Sequence, residues 1–322
     1  MKLAFLYAGQ GSQREKMGED FYNAFPQIRN IFHNKNAGFD IADICFNAPL
    51  EQLSQTKYTQ PCMAAFGSAV TNLLFEKGIR PCVTAGLSLG EYCALYAANV
   101  FNEDTLFDLL SYRGHIMQST TTHLDTKMMA VIGLSAEQTI SAVSKATEEG
   151  LGIVACSNFN CKGQIVIGGE VRAVDYAAKI CIESGAKRCL PLNVSAPFHT
   201  PYMEEASRLM GEKLNNVKFG NMDIPVIFNA TACFLQENQS VSQLLEIQVK
   251  MPVLFEKTLL KLADIGVDTV IEIGPGSAIS GFIKKTVPGI KTYSIDDVES
   301  FERVIDCSLE WKFNKETYNP TK

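Results

Sequence analysis

An apolar run at Cys82–Leu87 passes without a linker into the helical pattern Leu89–Ala98, and the join reads Gly86-Leu87-Ser88-Leu89-Gly90. A buried strand that turns straight into a helix needs a sharp bend, and small residues two places either side let the backbone through. The spacing is G-x-S-x-G. On such a bend the Ser88 hydroxyl is exposed, and the helix start behind it offers N–H groups and a partial positive charge. That suits a nucleophile. It also suits an ordinary β–α turn capped by Ser88, and the segment alone leaves both open.

Elsewhere short apolar runs alternate with longer helical patterns, which predicts an α/β fold. Leu3–Tyr7 reads as a strand, followed by the polar loop Gly9-Gln10-Gly11-Ser12-Gln13. Gln60–Glu76 and about Glu103–Thr120 read as helices. The rhythm then changes. Strands at Lys127–Gly133, Leu151–Asn158, Gln164–Gly168 and Lys187–Leu192 bracket helices at Ala136–Thr147 and Val171–Glu183. The order βαββαβ is the ferredoxin-like pattern, so residues 126–195 are expected to form a small inserted subdomain. The larger domain then comprises 1–125 and 196–308. Its second part has a helix from Pro201, a strand at Pro225–Phe228, helices near 241–263, and a strand Thr269–Ile273 that meets Gly274-Pro275-Gly276 and a further helix. The polar stretch 309–322 reads as a peripheral tail.

Composition removes several function classes. The net charge is −6 over 322 residues, which argues against nucleic acid as the main partner. No apolar run approaches the roughly 20 residues of a membrane span, so no membrane partner is expected. The N-terminal apolar stretch ends at Ala8, too short for a secretory signal. Ten cysteines lie scattered with no CxxC pair. That pattern predicts reduced thiols in the cytoplasm and no metal site.

A serine nucleophile at neutral pH needs a base. The histidines are His33, His115, His123 and His199. His199 sits just before a helix start, with Thr200 as the expected N-cap and Pro201 at the first helical position. Taken alone it is equally a surface loop histidine. Arg113 precedes Gly114, a glycine inside a helix, where it costs about 1 kcal/mol relative to alanine. Such a glycine points to close approach by substrate or another helix. Arg113 itself suits bidentate binding of a carboxylate, or a surface ion pair with Asp108. Gly9–Gln13 lacks the lysine and spacing of a phosphate loop.

Six segments in one order resemble the malonyl-CoA:acyl carrier protein transacylases, relatives of the acyltransferase domains of fatty acid and polyketide synthases. They are Gly9–Gln13, Gly86–Tyr92, Tyr112-Arg113-Gly114 with Met117-Gln118, Ser195–Thr200, Gln248 with Pro252-Val253, and Glu272–Gly276. The resemblance runs to about residue 305. It implies an α/β-hydrolase-like core with the ferredoxin-like subdomain beside the active-site cleft. It implies Ser88 as acyl acceptor, His199 as its base, and the Gln248 backbone carbonyl as the group orienting that histidine. The oxyanion hole would be the backbone N–H groups of Gln10 and Leu89. Arg113 would pair with the malonyl carboxylate, in a pocket shared with Met117 and Phe198. Lys187, Arg188, Lys284 and Lys285 become candidates for docking an acidic carrier.

The implied reaction moves malonyl from malonyl-CoA to acyl carrier protein for fatty acid synthesis, with no cofactor beyond coenzyme A and phosphopantetheine as carriers. A trans-acting acyltransferase or acyl hydrolase of a polyketide pathway, and a non-catalytic carrier-binding subunit, are the alternatives. The chain departs from the family in two places: Leu87 stands where histidine is usual, and Ala8 where proline is common.

Overall fold

The computed structural model describes residues 1–120 and 125–311. His123 and most of the 309–322 tail lie outside the described residues.

Four strands form a parallel sheet in the order β2-β1-β7-β8: β1 is Leu3–Tyr7, β2 Val83–Gly86, β7 Thr269–Ile273 and β8 Lys291–Ile295. Every residue of β1, β2 and β7 is buried, as expected for parallel strands covered on both faces. The strand predicted at Pro225–Phe228 is not a full strand. It meets the far side of β2 through one bridge, Thr84 to Val226, with hydrogen bonds from Thr84 N–H to the Pro225 carbonyl and from Ile227 N–H to the Thr84 carbonyl.

The helix expected from Gln60 begins a turn earlier, at Thr56, and runs to Glu76 with Pro61 inside it. Proline argues for a helix start there. Burial decides otherwise, because Thr56, Thr59 and Gln60 are enclosed with the rest of the helix. The helix Glu103–Ser119 packs along it. The contact is made at Gly114, where an added Cβ would lie 2.8 Å from the Thr56 carbonyl oxygen. The glycine marked in the sequence is therefore a helix–helix contact, and it brings the Arg113 stem against Gln60.

A second sheet is antiparallel, in the order β4-β5-β3-β6, from β3 (Thr126–Ile132), β4 (Val154–Cys161), β5 (Gln164–Glu170) and β6 (Arg188–Pro191). The helices Ala136–Glu148 and Val171–Glu183 cover it around a core of their own. β4 starts three residues later than the sequence predicts. Gly152, at φ 116°, turns the chain first, against the Glu170 carboxyl. β4 meets the segment before the helix Phe255–Asp264 at a single bridge, Asn158 to Val253.

β8 and the helix Val298–Ser308 complete the large unit. Among the described residues, no helix is long and apolar enough to cross a membrane. All ten cysteines are free.

Candidate active site

The G-x-S-x-G join folds as a tight bend for a steric reason. An added Cβ at Gly86 would lie 2.0 Å from the Gly90 carbonyl carbon, and one at Gly90 would lie 2.4 Å from the Tyr7 carbonyl oxygen. Neither position admits a side chain. Ser88 adopts φ 55°, a left-handed conformation that costs a non-glycine residue about 1–2 kcal/mol. His199 adopts φ 58°.

These two strained residues face each other. Ser88 Oγ lies 2.6 Å from His199 Nε2, and His199 Nδ1 lies 2.8 Å from the Gln248 carbonyl oxygen. A carbonyl only accepts, so Nδ1 carries the proton and Nε2 is left to accept from the serine. Burial first, and the Arg113 cation second, push the His199 pKa down to about 3. The imidazole is neutral at physiological pH and ready to take a proton. Thr200 occupies the N-cap position but does not cap. Its hydroxyl donates instead to the Pro197 carbonyl at 2.5 Å, tightening the turn that presents His199.

Arg113 is 1% exposed. One guanidinium nitrogen donates to Gln60 Oε1 at 2.8 Å, and the other to Gln248 Oε1 at 2.9 Å and Ser88 Oγ at 3.2 Å. Its partners are neutral. The alternative, a surface pair with Asp108, does not form: Arg113 is buried and Asp108 pairs with Lys213. The buried acid near Arg113 is Glu91, and burial pushes its pKa up to about 8, against the downward pull of the Asn229 N–H and of Arg113 itself. Among the described residues, the site thus contains a buried cation with no carboxylate paired to it, an arrangement costly unless an anion arrives.

A cavity of about 120 Å3 opens over Ser88. Gly9, Gln10, Met117 and Phe198 wall it from the large unit; Met128, Asn158 and Asn160 wall it from the antiparallel sheet. Within the chain, the backbone N–H groups of Gln10 and Leu89 donate no hydrogen bond among the described residues. The Gln10 side chain donates to Thr56 Oγ1 at 3.0 Å, which in turn meets Ser195 Oγ at 3.1 Å. That ties the Gly9–Gln13 loop to the segment before His199. Leu87, half-buried, also lines the cavity, and its carbonyl and side chain fill the space where Gly9 lacks a Cβ.

Glu272-Ile273-Gly274-Pro275-Gly276 has a structural use. The Glu272 carboxylate accepts from the Ile279 and Ser280 N–H groups at the start of the helix Ala278–Thr286. Gly274, at φ 146°, passes so close to Ala8 that a Cβ would lie 2.4 Å from the alanine Cβ. Ala8 donates its N–H to the Ile273 carbonyl at 3.0 Å, a bond that proline cannot make.

Lys187, Arg188, Lys284 and Lys285 are exposed and outside the cavity. The β4–β5 turn sits between the two pairs. Gly163 accepts from Gly133, over which the Lys187 stem lies, while Lys162 N–H donates to Thr286 Oγ1. Lys162, also exposed, stands on that turn within electrostatic reach of Glu256.

Two residues of the site carry no sequence signal that separates them: Gln60 follows Thr59 ahead of Pro61, and Asn229 closes the apolar run 225–228. Glu91 is the lone acid of an apolar helix and falls within the Gly86–Tyr92 segment.

The acyl transferase domain family matches residues 4–303. The malonyl CoA-acyl carrier protein transacylase of Bacillus subtilis (strain 168) is 37% identical over 311 residues, covering 96% of this chain and 98% of that protein. The crystal structure of malonyl-CoA:acyl carrier protein transacylase from Xanthomonas oryzae pv. oryzae superposes with a TM-score of 0.91 at 34% identity, covering 95% of this chain and 99% of that one. A type II PKS acyl-carrier protein in complex with its malonyl-transacylase gives a TM-score of 0.91 at 32% identity, covering 95% of this chain and 100% of that one.

Proposed function

The chain belongs to the acyl transferase domain family, and from that premise we propose that it carries malonyl from malonyl-CoA to the phosphopantetheine thiol of acyl carrier protein, supplying fatty acid synthesis. The relatives' names are those of malonyl transferases, which favours transfer over hydrolysis. The observation that carries it is the buried Arg113, which touches the Ser88 hydroxyl and lacks a carboxylate partner. A malonyl thioester brings the missing carboxylate and places its carbonyl beside the serine.

His199 Nε2 takes the Ser88 proton as Oγ attacks the thioester carbon. The oxyanion is received by the N–H groups of Gln10 and Leu89. The C–S bond breaks, His199 returns the proton to the coenzyme A thiolate, and a malonyl-serine ester remains. The carrier thiol then gives its proton to His199 and attacks the ester, and the proton passes back to Ser88 Oγ. Met117 and Phe198 hold the acyl group, and the basic residues around the β4–β5 turn meet the acidic carrier. Coenzyme A leaves in the first half and Ser88 Oγ in the second, and the proposed transfer calls for no resident cofactor.

The finer architecture follows the same reading. The strand order β4-β5-β3-β6, antiparallel, with a helix between β3 and β4 and another between β5 and β6, supports a ferredoxin-like subdomain at 126–195. The parallel sheet and its bend at Ser88 support an α/β-hydrolase-like core from 1–125 and 196–308, with 309–322 as a peripheral tail.

Intact mass spectrometry tests the function. Malonyl-CoA should leave one malonyl adduct, and carrier protein bearing phosphopantetheine should remove it. Ser88→Ala should take no adduct, and His199→Ala should slow both halves by orders of magnitude. A stable adduct on the Ser88→Ala protein would refute the assignment.

A further inference from the structure

Asn229 is fully buried and outside the cavity wall. Its Oδ1 accepts from the Ser88 N–H at 2.7 Å, and its Nδ2 donates to the Gly86 carbonyl at 2.7 Å. One side chain therefore spans the bend. The Asn229 N–H in turn donates to the carboxyl of Glu91, from the first turn of the helix that follows the bend. The ring is closed: Ser88 to Asn229, Asn229 to Glu91, and Glu91 through its helix back to Ser88.

We propose that Asn229, locked by Glu91, is a positioning residue for acylation: it holds the bend on the N-terminal side of Ser88 so that, with Gln248 holding the Ser88 carbonyl, the Leu89 N–H points at the developing oxyanion. The inference rests on the reading of Ser88 as nucleophile given above.

The geometry supports it in three ways. First, the Ser88 N–H is committed to Asn229, so the N–H that the bend offers to an oxyanion is that of Leu89. Second, the Ser88 carbonyl, in the same peptide plane as the Leu89 N–H, accepts from Gln248 Nε2 at 2.8 Å. Asn229 fixes one side of Ser88 and Gln248 the other. Third, Ser88 holds its left-handed φ only while its surroundings over-determine it. Without Asn229, a buried N–H and a buried carbonyl lose their partners, and rotation of the bend is the way to recover them.

Glu91 acts here as a hydrogen-bond acceptor more than as a charge. Burial holds its carboxyl largely protonated at neutral pH, with a pKa of about 8. Glutamine reproduces the acceptor and the shape.

Three variants of the full chain decide the matter: Asn229→Ala, Glu91→Gln and Glu91→Leu. The readout is pre-steady-state acylation by malonyl-CoA. Asn229→Ala should slow acylation about tenfold to a hundredfold, the scale of a misplaced catalytic group. The KM for malonyl-CoA should stay within about threefold, since Arg113 keeps Gln60 and Gln248. The pH profile should not move, since the burial, the Arg113 cation and the Gln248 carbonyl that set the His199 pKa stay in place. Glu91→Gln should acylate within about threefold of wild type, whereas Glu91→Leu should fall as Asn229→Ala does. The Asn229→Ala/Glu91→Leu double variant should be no slower than either alone, because the two act as one unit. Should Asn229→Ala not fold, the Glu91→Gln and Glu91→Leu pair carries the same test. Acylation by Asn229→Ala at the wild-type rate overturns the proposal. So does equal damage from Glu91→Gln and Glu91→Leu, and so does a loss confined to KM. If wild type itself takes no malonyl label, the reading of Ser88 falls; if it labels and Asn229→Ala labels as fast, only the role of Asn229 falls.

Discussion

Arg113 donates a hydrogen bond of 3.2 Å to the hydroxyl oxygen of Ser88. On the proposed mechanism, the residue that binds the substrate's charge thus sits against the atom that attacks it. The same cation depresses the pKa of His199. Before substrate arrives, Arg113 favours the neutral base. On the proposed mechanism, a malonyl carboxylate that neutralises Arg113 would weaken that pull and let His199 better bear the proton from Ser88.

The first expectation follows from this double role. Arg113→Ala should cut acylation by malonyl-CoA on the order of a hundredfold or more, the loss of a pair of charge-assisted hydrogen bonds. Acetyl-CoA, with no carboxylate to pair, should lose far less or gain. Parallel rate measurements with the two thioesters check it. Equal losses would mean that Arg113 only supports the fold.

The pH dependence has a definite sign. Protonation of His199 removes the base, and its pKa is lowered to about 3. The acid limb of kcat/KM should therefore lie well below the usual histidine range near 6.5. In Arg113→Ala, assayed with acetyl-CoA, that limb should move up, because the cation's downward push is gone. Stability shares the window. Unfolded histidine binds a proton that the folded one refuses between about 6.5 and 3, so stability should fall as pH drops through that range and His199→Gln should flatten the fall.

Carrier docking should depend on the basic residues around the β4–β5 turn. Reversing charge at Lys187 and Arg188, at Lys284 and Lys285, or at Lys162 should raise the KM for carrier protein and leave that for malonyl-CoA within about twofold. High salt should mimic the substitutions. Carrier transfer indifferent to all three changes and to salt would place docking elsewhere.

Leu87 tests the departure from the family pattern. It fills space against Gly9 at the cavity edge, while His199 already has the geometry of the base. Leu87→His should change kcat/KM by less than about tenfold, or about 1.4 kcal/mol. Wild type should turn over on the order of ten times per second. A gain of a hundredfold or more in pre-steady-state acylation would show the natural protein to be impaired at this step.

The sequence by itself determined what depends on neighbours along the chain. The bend at Ser88 was legible because only glycine fits at positions 86 and 90, and that demand is local. The alternation of buried strands with helices was legible because its period is local too. The positions of Ser88, His199, Arg113 and Gln248 came from motif order. Tertiary structure decided which distant groups meet. Gly114 announced a close approach, but only the fold shows that the approaching body is the helix Thr56–Glu76. Thr200 had the chemistry of a cap, yet the Pro197 carbonyl took its hydroxyl. Asn229, 141 residues from Ser88, is joined to it by a contact that no spacing along the chain encodes. A hydrogen bond depends on separations of a few ångströms in space, and only the packed sheet brings those atoms within reach.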